Sequence, residues 1–178
     1  MNDFMPKDYT TPKSSGGAYM KLIKWDNKFR ILDAMLVGYV YFTEENKPVR
    51  SKEHPGVTPD DMKKDPSSRV KHFWAFPVWN YADSEVQILE ISQVSIQEAI
   101  EAYVKNEKRG SPFNYDINVS KTGEKLETKY IVSVDPKETN KEATKAYEEI
   151  SIDLDQLFLT GGNPFMETEG KKEEDMPF

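Results

Sequence analysis

Between Ala18 and about Pro136 the apolar residues come in short dense runs, and from Lys137 onward the pattern thins and turns acidic. Tyr19 to Ile23 and Lys28 to Leu32 read as short strands. Met35 to Phe42 (MLVGYVYF) is rich in β-formers, with Gly38 as a bulge or bend. Thr43 to Ser68 is polar, holds Pro48, Pro55, Pro59, Pro66 and Gly56, and has no period. A loop of that length inside a domain is functional or disordered. Arg69 to Tyr81 (RVKHFWAFPVWNY) is the most aromatic run, and its Pro77 argues for a sheet edge or a bulge. Val86 to Ile91 is a further strand. Ser95 and Glu98 form a capping box for a helix whose Ile96, Ile100, Tyr103 and Val104 share one face, with Gly110 beyond its end. Asp116 to Ser120 and Lys129 to Val134 make a hairpin about the Lys121-Thr122-Gly123-Glu124 turn. Thr139 and Glu142 cap a second helix with Ala143, Ala146, Tyr147 and Ile150 on one face, and Leu154 to Leu159 a short third one.

The expected class is mainly β with α. Short strands around one inserted helix suit an oligonucleotide/oligosaccharide-binding (OB) fold barrel, with a β-sandwich as the competitor. The expected divisions are a flexible N-terminal arm at 1–17, an OB-fold nucleic-acid-binding domain at 18–136, a C-terminal helical segment at 137–160 and a disordered acidic tail at 161–178. The helical segment docks on the barrel or pairs with a neighbouring chain, so a homo-oligomer stays open.

Charge sharpens this division. The 178 residues carry a net −7, but residues 137–178 hold 5 basic and 11 acidic side chains, so residues 1–136 are nearly neutral. Residues 11–71 hold 12 basic and 8 acidic side chains, a body fit for a polyanion. With no cysteine there is no disulfide, no thiolate metal site and no cysteine nucleophile. No apolar run is long enough to span a membrane, and the N-terminal residues lack a signal-peptide core. A reducing, cytoplasmic setting is the expectation.

Basic and aromatic residues interleave along the body. The candidate nucleic-acid contacts are Lys24, Trp25, Lys28 and Arg30 near the first strands, Arg50 and Lys52 in the long loop, and Arg69, Lys71, Phe73, Trp79 and Tyr81 in the aromatic strand. Strand alternation puts Lys71, Phe73, Trp79 and Tyr81 on one face and Trp74 with Phe76 on the other. The face carrying Lys71 is expected outside. Exposed rings stack bases while cations neutralise phosphates.

The chain closes on Glu173-Glu174-Asp175-Met176-Pro177-Phe178, which resembles the terminal peptide of bacterial single-stranded-DNA-binding proteins. An apolar pocket rimmed by cations on a partner protein would hold such a segment. Upstream, Phe73-Trp74-Ala75-Phe76, Gln87-Ile88-Leu89-Glu90-Ile91 and Thr160-Gly161-Gly162-Asn163-Pro164-Phe165 resemble single-stranded-DNA-binding proteins of tailed bacteriophages over roughly residues 18–165. That resemblance implies an OB-fold accessory of DNA replication and recombination in the host cytoplasm. It implies single-stranded DNA as ligand and replication or recombination proteins as partners of the tail. Some such phage proteins carry a cysteine-ligated zinc, which this cysteine-free chain has no means to hold.

The expectation is therefore sequence-independent single-stranded DNA binding, without a cofactor or metal. The alternative is an OB-fold adaptor whose main ligand is protein. Enzyme chemistry ranks last. Asp60-Asp61 and Asp153-x-Asp155 are carboxylate pairs in polar surroundings, and the only histidines are His54 and His72.

Overall fold

A computed structural model describes residues 18–159 and 162–166. The backbone forms β1 (Tyr19–Met20), β2 (Trp25–Ile31), β3 (Leu36–Phe42), β4 (Pro48–Ser51), β5 (Lys71–Asn80), β6 (Glu85–Ile91), α1 (Val94–Val104), β7 (Asp116–Thr122), β8 (Lys129–Val134), α2 (Lys141–Glu148), β9 (Ser151–Ile152) and β10 (Phe165–Met166). Strands β1 to β8 make one mixed sheet ordered β1-β6-β5-β2-β7-β8, with the β3–β4 hairpin added on β5. Only β1 and β6 run parallel in it. Among the described residues no ladder joins the two ends, so the sheet they form is open where a closed barrel was expected. Helix α1 spans that opening: Ile96 and Ile100 enter the core, and the Tyr103 hydroxyl donates to the Val132 carbonyl at 3.3 Å. No helix among the described residues is long and apolar enough to cross a membrane.

Strand β5 is the wall between two cores. Its even side, Trp74, Phe76 and Val78, packs with Phe29, Ile31, Leu89, Ile91 and Ile117 inside the curled sheet. Its odd side, Phe73 and Ala75, packs with Val40, Ile88 and Leu157 under Ile152, Leu154, Phe158 and Phe165. Phe158 reaches the Phe73 ring at 6.3 Å between centroids. Within the stretch 161–178 expected to be a tail, Phe165 and Met166 pair with Ile152 and Ser151. The same covering explains Gly38. It interrupts no register, but a Cβ there would lie 2.7 Å from the Ser51 carbonyl and 3.0 Å from the Phe158 ring.

Pro77 lies mid-strand in a central strand, against expectation. One residue's N and C=O point to the same strand edge, and the Pro77 carbonyl accepts the Leu32 N–H at 3.0 Å. The missing N–H therefore faces the gap where β5 changes partner, from β3 up to Ala75 to β2 from Val78. The chain between β2 and β3, residues 32–35, is that gap. Two caps also differ from expectation. Helix α1 starts at Val94 without a side-chain cap, and α2 is capped by Asn140, whose side-chain oxygen accepts the Ala143 N–H at 3.0 Å. Residues 154–158 form a 3-10 turn.

Candidate nucleic-acid interface

Sequence Ile23-Lys24-Trp25-Asp26-Asn27 forms a tight corner entering β2. Asn27 is buried and organises it. Its side-chain oxygen accepts the Ile23 N–H at 2.8 Å, and its amide donates to the carbonyls of Ile23, Trp25 and Val119 at 2.8, 3.1 and 2.9 Å. The corner forces Trp25 to φ +74°, a left-handed backbone that bulky residues avoid. Trp25 is nonetheless 63% exposed. Lys24 Nζ lies 5.5 Å from its ring centroid. Across the ladder Trp25 pairs with Lys121, whose ammonium donates to the Leu22 carbonyl at 3.5 Å. The β7–β8 turn flanks the corner, and Lys24 and Glu124 approach to 4.0 Å. Gly123, at φ +78°, is required in that turn because a Cβ would sit 2.2 Å from the Glu127 carbonyl. Leu126 stands wholly exposed at its tip. One end of the sheet thus offers Ile23, Trp25 and Leu126 beside Lys24, Lys121, Lys125 and Lys129.

The middle of β2 is different. Arg30 and Asp116 are each 4% exposed and bonded at 2.7 Å, and Arg30 also donates to the Phe113 carbonyl. Lys28 lies 3.6 Å from Asp116, 3.4 Å from Asp135 and 4.8 Å from the Tyr81 ring centroid. The Tyr81 hydroxyl donates to Asp116 at 2.7 Å and accepts from the Asn140 amide at 2.8 Å. Burial, followed by donation to Asp116, pushes its pKa up to about 12, against a smaller lowering by Asn140. Every cation here has a carboxylate within the chain.

The far end of the β2–β3 run holds a second basic and aromatic group. Lys63 donates its N–H to the Phe42 carbonyl at 2.8 Å, and Thr43 bridges Met62, so the 43–68 loop folds back on the end of β3. There Phe42, Lys63, Arg69 and Lys71 line a hollow of about 200 Å³. Asp65 sits on its rim, its carboxyl held below the usual range by the Ser67 N–H and hydroxyl. On the neighbouring hairpin Tyr39 lies between His54 and His72, at 5.2 and 5.4 Å between centroids.

Of the residues expected at the interface, Lys24 and Trp25 are brought together in the open, and exposed Arg69 meets half-buried Lys71 at the hollow. Lys28, Arg30 and Tyr81 converge, but on Asp116. Arg50 is half-buried and holds Glu90 by two bonds of 3.0 and 2.6 Å. Lys52 lies 5.7 Å from the Phe158 ring centroid. Phe73 and Trp79 correct the expected alternation, for they are buried at 0% and 5% exposure. The cover over their face comes from Ile152, Leu154, Leu157, Phe158 and Phe165 and, beside Trp79, from Ala146 and Ile150 at α2. Glu173, Glu174, Asp175, Met176, Pro177 and Phe178 lie outside the described residues.

Sequence reasoning missed Phe42, Lys63 and Lys121. Only the ladder register puts Lys121 opposite Trp25. One carboxylate of each pair has a structural partner: Asp61 accepts the Tyr41 hydroxyl at 2.8 Å, and Asp153 accepts the Asp155 N–H at 3.1 Å and the Gln156 amide at 3.2 Å. No family model, no curated protein and no solved structure matches this chain.

Proposed function

We propose that this protein binds single-stranded DNA without sequence preference, on an OB-type scaffold left open at its closing pair. The observation that carries this is Trp25. A left-handed position would be occupied at less cost by glycine, yet it holds an indole that a buried asparagine keeps in the open beside lysines. Strain of that sort, of order 1–3 kcal/mol, persists where surrounding structure enforces it, and such positions cluster at functional sites. The strand order supports the scaffold. Taking β2 and β3 as one bent strand, followed by β5, β6, α1, β7 and β8, the helix falls between the third and fourth strands. The loops an OB fold uses for oligonucleotides are then residues 43–70 and 123–128, and the two open basic groups sit at those loops. Bases stack on Trp25 and on Phe42, and Lys24, Lys121, Lys63, Arg69 and Lys71 take phosphates. The tail recruits replication or recombination proteins. The test is titration with dT oligomers read by tryptophan fluorescence. Quenching on binding, an affinity that falls with salt, and a loss of roughly 1–3 kcal/mol in Trp25→Ala with folding intact are expected. No binding at low salt would overturn the proposal.

A further inference from the structure

An apolar groove of about 460 Å³ opens between α1 and the residues that link β2 to β3. Its floor is the core itself, Trp74, Phe76 and Ile100, and its lips are Met35, Val104 and Phe113, each between 39% and 50% exposed. That is room for a few apolar side chains. None of the cations assigned above to DNA lines it.

We infer that this groove holds the chain's own Met176-Pro177-Phe178 segment. Three observations single out this occupant. The first is where the described chain leaves the fold. Phe165 and Met166 pair with Ile152 and Ser151, and Ile152 lines a smaller hollow together with Asp33, Ala34 and Met35. The same Asp33, Ala34 and Met35 form one wall of the large groove. The exit therefore lies beside the groove. The second is reach. Residues 167–178 can extend to about 40 Å, far more than the neighbouring hollow requires, so the segment meets the groove at a high effective concentration. The third is chemical order. Glu173-Glu174-Asp175 precede the apolar triplet. Lys105 pairs with Glu101 on the groove's lining, Asp33 standing on the opposite wall, and is followed by Lys108 and Arg109 outside it. Apolar residues seated in the groove bring the acidic run to those cations. While seated, the segment is withheld from any other protein, so a partner must outcompete the groove. This inference does not rest on the DNA reading.

The absence of cysteine allows a direct test in the full chain. Lys105→Cys with Met176→Cys keeps Phe178 and the whole acidic run, and Lys105 and Met176 are not in the proposed DNA contacts. The control pairs Met176→Cys with Val57→Cys, an exposed site on the long loop. Mild oxidation should close the 105–176 pair within one chain at least about tenfold faster than the 57–176 pair, as a raised local concentration requires. Adding Phe178→Ala should bring the two rates together. Equal rates in the starting pairs, no response to Phe178→Ala, or a disulfide-linked dimer in place of the intrachain product would each overturn the inference. The dimer would assign the groove to a second copy. A DNA titration of the same variants keeps the two proposals apart, since its outcome does not depend on which pair closes.

Discussion

Strand β2 carries lysine or arginine and an aromatic neighbour at its start and again at its middle, and only one of these places is open. At Trp25 the residue is exposed, and among the described residues the carboxylate paired with Lys24 is Glu124, at 4.0 Å. At Arg30 the guanidinium is sealed against Asp116, and Lys28 is shared between Asp116 and Asp135. The difference is a matter of carboxylate placement, not of basic content. Arg30 is desolvated as well as paired, so a phosphate must first break a bond in a low-dielectric setting, while Lys28, 45% exposed, is held by two carboxylates at once.

The largest effect should come from the closed place. Asp116→Asn leaves the buried Arg30 charge without its partner, and stability should fall by about 3–5 kcal/mol in denaturant unfolding. A loss below the precision of that measurement would mean the pair is solvated and the comparison fails. Trp25→Gly should move the other way. It suits the φ of +74° and relieves strain, so the protein should be no less stable than the parent while dT affinity drops by roughly 1–3 kcal/mol. Intact affinity would remove Trp25 from the interface. Next, Lys24→Ala with Lys121→Ala should cut the slope of log affinity against log salt by about 1 for each phosphate no longer neutralised. Lys28→Ala should leave that slope alone, and an equal change in both variants would erase the distinction between the two places.

The smallest effect is alkaline. Tyr81 and Tyr147 both have pKa values raised to about 12, by burial first and then by donation to Asp116 and Asp33. A folded-state pKa above the unfolded one, near 10, gives stability that is complete below pH 10 and lost as pH rises towards 12. Tm measured across that window should fall, and Tyr81→Phe should flatten the fall even if it lowers Tm at neutral pH. An unchanged slope would mean Tyr81 does not report on the Asp116 cluster.

Much of the scaffold was legible because it is local. The 116–134 hairpin follows from two β-rich runs about a glycine turn, and Trp74 and Phe76 face inward as alternation requires. The second face of β5 was not legible. Whether Phe73 and Trp79 are wet depends on Leu157, Phe158 and Ile150, far along the chain and without strand periodicity. Arg30 and Arg50 looked free because their carboxylates, Asp116 and Glu90, come from other strands. Pro77 argued for an edge by a sound rule, and the rule was met differently, by a change of partner strand. Trp25 could be named as a candidate but not as a strained one, since nothing in its neighbours encodes φ until Asn27 folds onto Ile23.

The double wall at β5 also has a consequence in time. Phe158 follows Val134, the last residue of β8, by 24 residues. At common rates of synthesis the ribosome needs on the order of a few seconds to deliver it. For that interval Val40, Phe73, Ala75 and Ile88 form a greasy face on an otherwise assembled sheet, bare until Leu157, Phe158 and Phe165 emerge and fasten over it. The nascent chain is then at its stickiest not at the start of folding but near its end.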